Sequence, residues 1–420
     1  MKTVEKKSAR EASYLALLTY AKKQKYLSES LEEWRKNASP SSIDFSLAQE
    51  ITYGTERRKA TLNYFAEKLA EQGKLHVKLK ERLLLFIALY QYFFMDKIPI
   101  YALTNETVSL AYKYCRPPFV RFLNAILRKL PKTKIQLPKG NNLKDLSIRY
   151  SYPEFLIKLF LEDYGMEKAC EIMETENAPS CTMFRVRENE EKNPSLRLIT
   201  EKPFPVALLE EQKNIESVIK SSKYYIQNIT PATLIGELCT NAPPPKRILD
   251  LCAAPGGKVI AIHDFFPNAL LHANDITKKK IERLKQNLKK YEIQANLHLS
   301  LGEEYHSKEK FDIIIADLPC SNSGVLNKRP EARWRITKDF LKELEKMQFA
   351  IIENALKYLK ENGQIWYMTC SILKKENENM IEKFCQKYRM EKTFIRKILP
   401  EKKKWDGGFA CSLKKIKEEA

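Results

Sequence analysis

RILDLCAAPGGKVIAIHDFFPNALLHAND, residues 247–275, decides the fold class of the second half of the chain. A short apolar run ends in a loop of small residues, a helical stretch follows, and a second apolar run ends at Asn274-Asp275. That is one strand–loop–helix–strand unit. Downstream the same alternation continues: the runs NLHLSL, FDIIIAD and GQIWYMTC are separated by the helical stretches KKKIERLKQNLKKYE and DFLKELEKMQFAIIENALKYL. Strands alternating with helices predict a Rossmann-like α/β domain with a mostly parallel, doubly wound sheet. In such a sheet, ligands bind beyond the carboxyl ends of the strands.

Upstream the period changes. From Ala9 to about Leu130, apolar residues recur three and four apart in YLALLTY, FSLAQEITYG and LKERLLLFIALYQYFF, which predicts an all-α domain. Arg82 to Phe94 is apolar almost all round and marks its central helix. PPFVRFLNAILRKL, residues 117–130, reads as an amphipathic helix opened by two prolines, and PKTKIQLPKGNNLK as a linker. Between the two large pieces, PEFLIKLFLEDYG reads as a helix and SCTMFRVR as a strand, which predicts a small α/β module. The expected domains are residues 1–135, 145–235 and 236–420.

The 420 residues carry a formal charge of +20, with a pI near 9.3. Such an excess of Lys and Arg attracts polyanions, so nucleic acid is the leading partner; a Lys-rich composition throughout is the competing explanation. Nine cysteines form no CxxC pair and their number is odd, so neither a zinc site nor a disulfide framework is expected. No metal is expected, and reduced thiols suit a cytoplasmic protein. The first residues lack the uninterrupted apolar core of a secretory leader. The most apolar run, Leu83 to Met95, falls well short of the ~20 residues that span a bilayer, so no membrane role is expected.

Three loops carry candidate chemistry. The first is Asp250-Leu-Cys252-Ala253-Ala254-Pro255-Gly256-Gly257-Lys258. Its small residues allow a ligand close to the backbone, and the following helix points its N-terminus at the same place. It is neither a Walker A loop nor GxGxxG, and a tight turn is the alternative. Asp275 ends the next run, where an acid either accepts hydrogen bonds from a ribose diol or caps the following helix. The second loop, Asp317-Leu-Pro319-Cys320-Ser-Asn-Ser-Gly324, puts an acid and a thiol at one strand end; the third, Thr369-Cys370-Ser371, puts a thiol at another. Singly, each cysteine reads as a small buried hydrophobe; together, beside Asp317, they read as a site. Arg329, Arg333, Trp334 and Arg335 combine guanidinium and aromatic surfaces suited to phosphates and bases, with a solvated loop as the alternative.

CAAPGGK, then DLPCSNSGV, then TCS occur in the order and at the strand ends that mark the NOL1/NOP2/Sun family of RNA 5-methylcytosine methyltransferases, which this sequence resembles. The first third, with ITYGTERR and FLNAILRKL, resembles the transcription antitermination factor NusB and is expected to bind RNA. The resemblance implies an S-adenosylmethionine pocket lined by residues 252–258, Asp275, Asp317 and Glu303, the last standing where the family usually has Asp. It implies that Cys370 is the nucleophile, that Cys320 assists product release and that Asp317 takes part in the chemistry. It further implies a monomer acting on RNA, foremost small-subunit (16S) rRNA. A tRNA cytosine methyltransferase and a non-catalytic RNA-binding or antitermination-type factor are the other readings. Departures from the family pattern are Gln227-Asn228 for Gln-Asp, Arg185-Val-Arg187 for RVN, and Gly408 in place of a bulky residue.

Overall fold

A computed structural model describes residues 7–70, 73, 75–187, 193–210, 215–402 and 405–416. The start of the N-terminal stretch read for a leader, residues 1–6, lies outside the described residues, as do residues 417–420. The chain forms two compact units. The first holds the residues up to Asn177 together with Leu326–Arg335; the second holds Ala178–Val325 and the residues from Ile336 on.

The first unit is helical: α1 (Ala9–Lys23), α2 (Leu27–Ala38), α3 (Ser42–Arg57), α4 (Lys59–Leu69), α5 (Leu79–Phe94), α6 (Ile100–Tyr114), α7 (Pro117–Lys129), α8 (Leu143–Tyr150) and α9 (Glu154–Thr175). Serines at positions 8 and 41 cap α1 and α3 by accepting backbone N–H bonds from Glu11 and Asp44. α5 is buried from Leu83 through Gln91, as expected of a helix apolar on every side, and α1, α3, α4 and α6 pack against it. At the α3–α5 crossing a Cβ on Gly54 would overlap the Tyr90 ring, so only glycine allows that approach. α9 runs past the predicted end of its helix, with a kink at Gly165, whose φ is +75°.

The second unit opens with β1 (Met183–Val186), β2 (Leu196–Thr200), β3 (Val206–Leu209), α10 (Ile215–Lys220), β4 (Tyr224–Ile226) and α11 (Ile229–Thr240). Its four strands form an antiparallel sheet in the order β2-β3-β1-β4. There follow β5 (Arg247–Asp250), α12 (Gly257–Phe265), β6 (Leu270–Asp275), α13 (Lys278–Lys290), β7 (Asn296–Leu299), β8 (Phe311–Asp317), α14 (Lys338–Ala355), β9 (Leu359–Thr369), α15 (Glu378–Tyr388), β10 (Met390–Ile398) and β11 (Gly408–Lys415).

Strands β5 to β11 form one sheet in the order β10-β11-β9-β8-β5-β6-β7. The five strands from β9 to β7 are parallel, and β11 is antiparallel to both of its neighbours. Alternation along the strands feeds two cores. Ile248, Ile313, Ile315, Trp366 and Met368 pack on one face, while Leu249, Ile314, Ala316, Ile365 and Tyr367 pack on the other. Strand order reverses between β5 and β8, so the loops after these two strands open a crevice at the carboxyl edge.

Candidate active site

The three chemistry-bearing loops meet at that edge. Gly256, with φ +110°, takes a conformation that an L side chain rarely adopts, and it lets the chain turn from β5 into α12. A Cβ on Gly257 would come 2.9 Å from the Tyr225 ring, so the loop lies flat against the small sheet. Ala253 N–H donates to Asn274 O (2.9 Å) and Ala254 N–H to Asp275 Oδ2 (2.9 Å), which ties the loop to the end of β6.

Asp275 is nearly fully buried, and its Oδ1 accepts from Ile276 N–H (2.7 Å) and Lys280 Nζ (2.9 Å). The cap of α13 is Thr277, whose side chain accepts from Lys280 N–H, so Asp275 is not the capping residue. Asp250 is also buried. Its Oδ1 accepts from Cys252 N–H (3.1 Å), while Oδ2 has no hydrogen-bond partner among the described residues. Burial pushes its pKa up to about 7. Burial likewise pushes the Cys252 thiol up.

Lys258 pairs with the Asp317 carboxylate at the end of β8. Burial disfavours the lysine's charge, but Asp317 outweighs it and holds Lys258 above the usual ammonium range. Glu303 stands half-exposed in the short turn Gly302–Glu304 that follows β7.

The two thiols come together. Cys320 Sγ lies 3.2 Å from Cys370 Sγ, and Cys370 Sγ donates to Asn322 Oδ1 at 3.2 Å. Cys320 is 8% exposed, whereas Cys370 is half-buried and thus the more accessible of the pair. The neighbouring thiol, followed by burial, raises the pKa of Cys320 well above its usual value, so it stays protonated. The loops carrying them touch backbone to backbone: Gly324 N–H donates to Cys370 O (3.0 Å), and Gly407 N–H to Gly324 O (2.6 Å).

The structure also finds residues that the sequence reading missed. Glu376, with Ser321, Ser323 and Ser371, forms a buried polar cluster behind the thiols. The sequence held only the weak hint of an acid six residues after Cys370, inside the charged run KKENEN.

Of Arg329, Arg333, Trp334 and Arg335, read as a surface for phosphates and bases, the structure corrects Arg333 and Trp334. Arg333 is fully buried in the first unit, where it donates to Arg57 O (3.1 Å), Ser151 O (3.1 Å) and Asn177 Oδ1 (2.9 Å). Trp334 donates to Glu56 O, and Arg335 lies over the Tyr26 ring; Arg329 is exposed. Buried carbonyls at a kinked chain demand donors as phosphates do, and a guanidinium serves either. Arg185 and Arg187 are likewise internal, both paired to Asp264 of α12, with Arg185 also donating to Gln227 Oε1. Asn228 donates to the Asp406 carboxylate, a place where a second carboxylate would repel. Gly408 sits where a Cβ would press on Thr230 and Leu234.

The sheet order, the crevice at its reversal and the loops gathered there define a Rossmann-like methyltransferase. Residues 239–414 match the family described as 16S rRNA methyltransferase RsmB/F, and residues 7–132 match the NusB family. The chain thus carries an RsmB/F methyltransferase domain, residues 239–414, together with a NusB-family helical domain, residues 7–132. Among its relatives is the ribosomal RNA small subunit methyltransferase B of Escherichia fergusonii, 29% identical over 360 residues that cover 83% of each chain. That of Yersinia pestis is 28% identical over 379 residues, 86% of each. The crystal structure of PH0851 aligns with a TM-score of 0.79 over 98% of this chain and 99% of its own, at 20% identity. NSun6 from Pyrococcus horikoshii aligns at 0.55 over 64% of this chain and all of its own, at 17% identity. These two likenesses show the shared fold. Among the described residues no helix is long and apolar enough to cross a membrane, and no group of His, Cys, Asp and Glu could hold a metal ion.

Proposed function

We propose that the protein transfers a methyl group from S-adenosylmethionine to carbon 5 of a cytosine in small-subunit ribosomal RNA, through a covalent adduct on Cys370. The carrying observation is the pair of thiols 3.2 Å apart on adjacent loops, with Asp317 and Lys258 at the neighbouring strand end.

Carbon 5 of cytosine is a weak nucleophile, and addition of a thiolate to carbon 6 makes it a strong one. Cys370, the more exposed thiol, makes that addition, while Asp317, with Lys258 as its counter-ion, holds the ring at nitrogen 3 through a shared proton. After methyl transfer a base takes the carbon 5 proton and the carbon–sulfur bond breaks, its electron pair returning to Cys370 as thiolate; Cys320, kept protonated beside it, assists by donating a hydrogen bond to that departing sulfur. A base must leave its stack to be attacked on its face, so a looped-out or flipped cytosine is the substrate form.

The crevice fits an adenosine-bearing sulfonium. The glycine turn leaves room beside the backbone, Asp275 offers a carboxylate at the ribose side, and Asp250 and Glu303 supply further acceptors. When bound, that cofactor supplies the electrophilic methyl group. Asp275 takes a ribose diol only if Lys280 releases it, so binding exchanges one hydrogen-bond partner for another. The helical domain and the +20 charge serve RNA binding.

Transfer of labelled methyl to small-subunit rRNA and to tRNA, with wild type, Cys370→Ala and Cys320→Ala in parallel, tests the reading. Labelled 5-methylcytosine in rRNA, abolished by Cys370→Ala, with an RNA–protein adduct accumulating in Cys320→Ala, is the expected result. Transfer to tRNA alone would keep the chemistry and overturn the substrate; no transfer to either RNA would overturn the reading.

A further inference from the structure

We propose that Glu376 is a positioning residue that locks the Cys320 and Cys370 loops together and so sets the spacing of the two thiols. Only its kinetic arm rests on the function proposed above.

Glu376 lies in a short 3-10 turn, Lys374–Glu376, between β9 and α15, and is 3% exposed. Its Oε1 accepts from Ser321 N–H at 2.8 Å, and its Oε2 accepts from Ser371 Oγ at 2.7 Å. Ser321 follows Cys320 and Ser371 follows Cys370, so one carboxylate spans both loops at the residue next to each thiol. Around it Ser371 Oγ accepts from Leu373 N–H (3.1 Å) and meets Ser323 Oγ (2.8 Å), which accepts from Ile372 N–H (3.0 Å). Asn377 braces the same loop from the other side. It accepts from Thr369 Oγ1 (2.6 Å) and donates to Ser371 O (2.9 Å), flanking Cys370.

Burying a carboxyl group is costly, and burial raises the Glu376 pKa. The position nevertheless calls for two acceptor oxygens on one side chain, one for a backbone N–H and one for a hydroxyl. A glutamine offers one. With its oxygen kept on Ser321 N–H, its NH2 group would face the Ser371 hydroxyl, which must turn its hydrogen toward Ser323 Oγ to accept from it, so the hydrogen bonds on the Ser371 side of the lock are rearranged. The lock lies behind the thiols, and the Glu376 carboxylate also adds to the raising of the Cys320 pKa.

The test compares Glu376→Gln and Ser371→Ala with wild type in the full chain. Formation of a Cys320–Cys370 disulfide under diamide, which takes up the two electrons and two protons released by the thiols, is followed by mass mapping of peptides. Alkylation of Cys170 serves as the internal reference. Disulfide formation is expected to slow about tenfold in both variants, because a misplacement of ~1 Å is enough to cost on the order of 100-fold in geometry-dependent reactions. In the methyl-transfer assay kcat should fall, with KM for RNA and for the cofactor unchanged. If Glu376→Gln does not fold, Ser371→Ala carries both arms, since it removes a single hydroxyl. Disulfide formation at the wild-type rate in the folded variants would overturn the proposal. Slower disulfide formation in a protein whose wild type transfers no methyl would uphold the lock and overturn only the function.

Discussion

His272 on β6 and His298 on β7 face each other with ring nitrogens 3.1 Å apart and stacked rings. Only one hydrogen can lie between those nitrogens, and two imidazolium rings there would repel. Burial lowers the pKa of both, outweighing the pull of Glu309, whose carboxylate is 3.2 Å from His272 Nε2. Arg247 faces His272 as well and adds to the lowering. Below the unfolded value of about 6.5 the unfolded chain therefore binds more protons than the folded one. The pair's contribution to stability is complete above that pH and is lost as pH falls toward the lowered folded values. The urea midpoint should fall between pH 7 and pH 5, and His272→Phe, which keeps a ring against Phe311, should flatten that part of the profile. Equal slopes in the two proteins would refute the assignment.

The loops at the carboxyl edge are joined by backbone contacts as well as by side chains. A Cβ on Gly324 would lie 2.7 Å from Gly407 Cα and 2.9 Å from Cys370 O, and none of these atoms can rotate away. Gly324→Ala should therefore cost ~1–3 kcal/mol through overpacking, read as a lower thermal midpoint, whereas an unchanged midpoint would show that the loops can part. At this scale most of the fold was legible. Runs of four to eight apolar residues alternating with amphipathic stretches announced the parallel strands, and small residues at their ends announced the loops. Cys320 and Cys370 were legible as candidates because a scarce residue type recurred at two strand ends, Asp317 because it closes an apolar run, and Lys258 because it follows the small-residue loop. Glu376 was not, since an acid within KKENEN reads as a solvated helix start. Arg333 misled for a related reason: a guanidinium that serves phosphates serves carbonyls equally well, and only burial tells them apart.

At the scale of the molecule the chain is not divided end to end. Leu326–Arg335 folds with the helical unit, where Arg333 meets Arg57, Ser151 and Asn177, while the residues on either side of it belong to the second unit. A fragment beginning at Ala178 lacks all three partners. Trypsin should cut it readily after Arg333 or Arg335, while the same bonds in the full chain resist; equal rates of cutting would mean that the segment folds without its partners. Removing the helical unit is thus no clean test of RNA binding. The same arrangement bears on how the protein is made. A ribosome delivers the chain from its N-terminus at about 5–20 residues per second, and domains generally fold as units in that order. Here the first domain to emerge still lacks ten of its residues, which follow roughly 150 residues later, on the order of 7–30 seconds at that pace. Until then the carbonyls awaiting Arg333 stay without it, and the nascent helical domain is an unfinished binding site for a piece of its own chain.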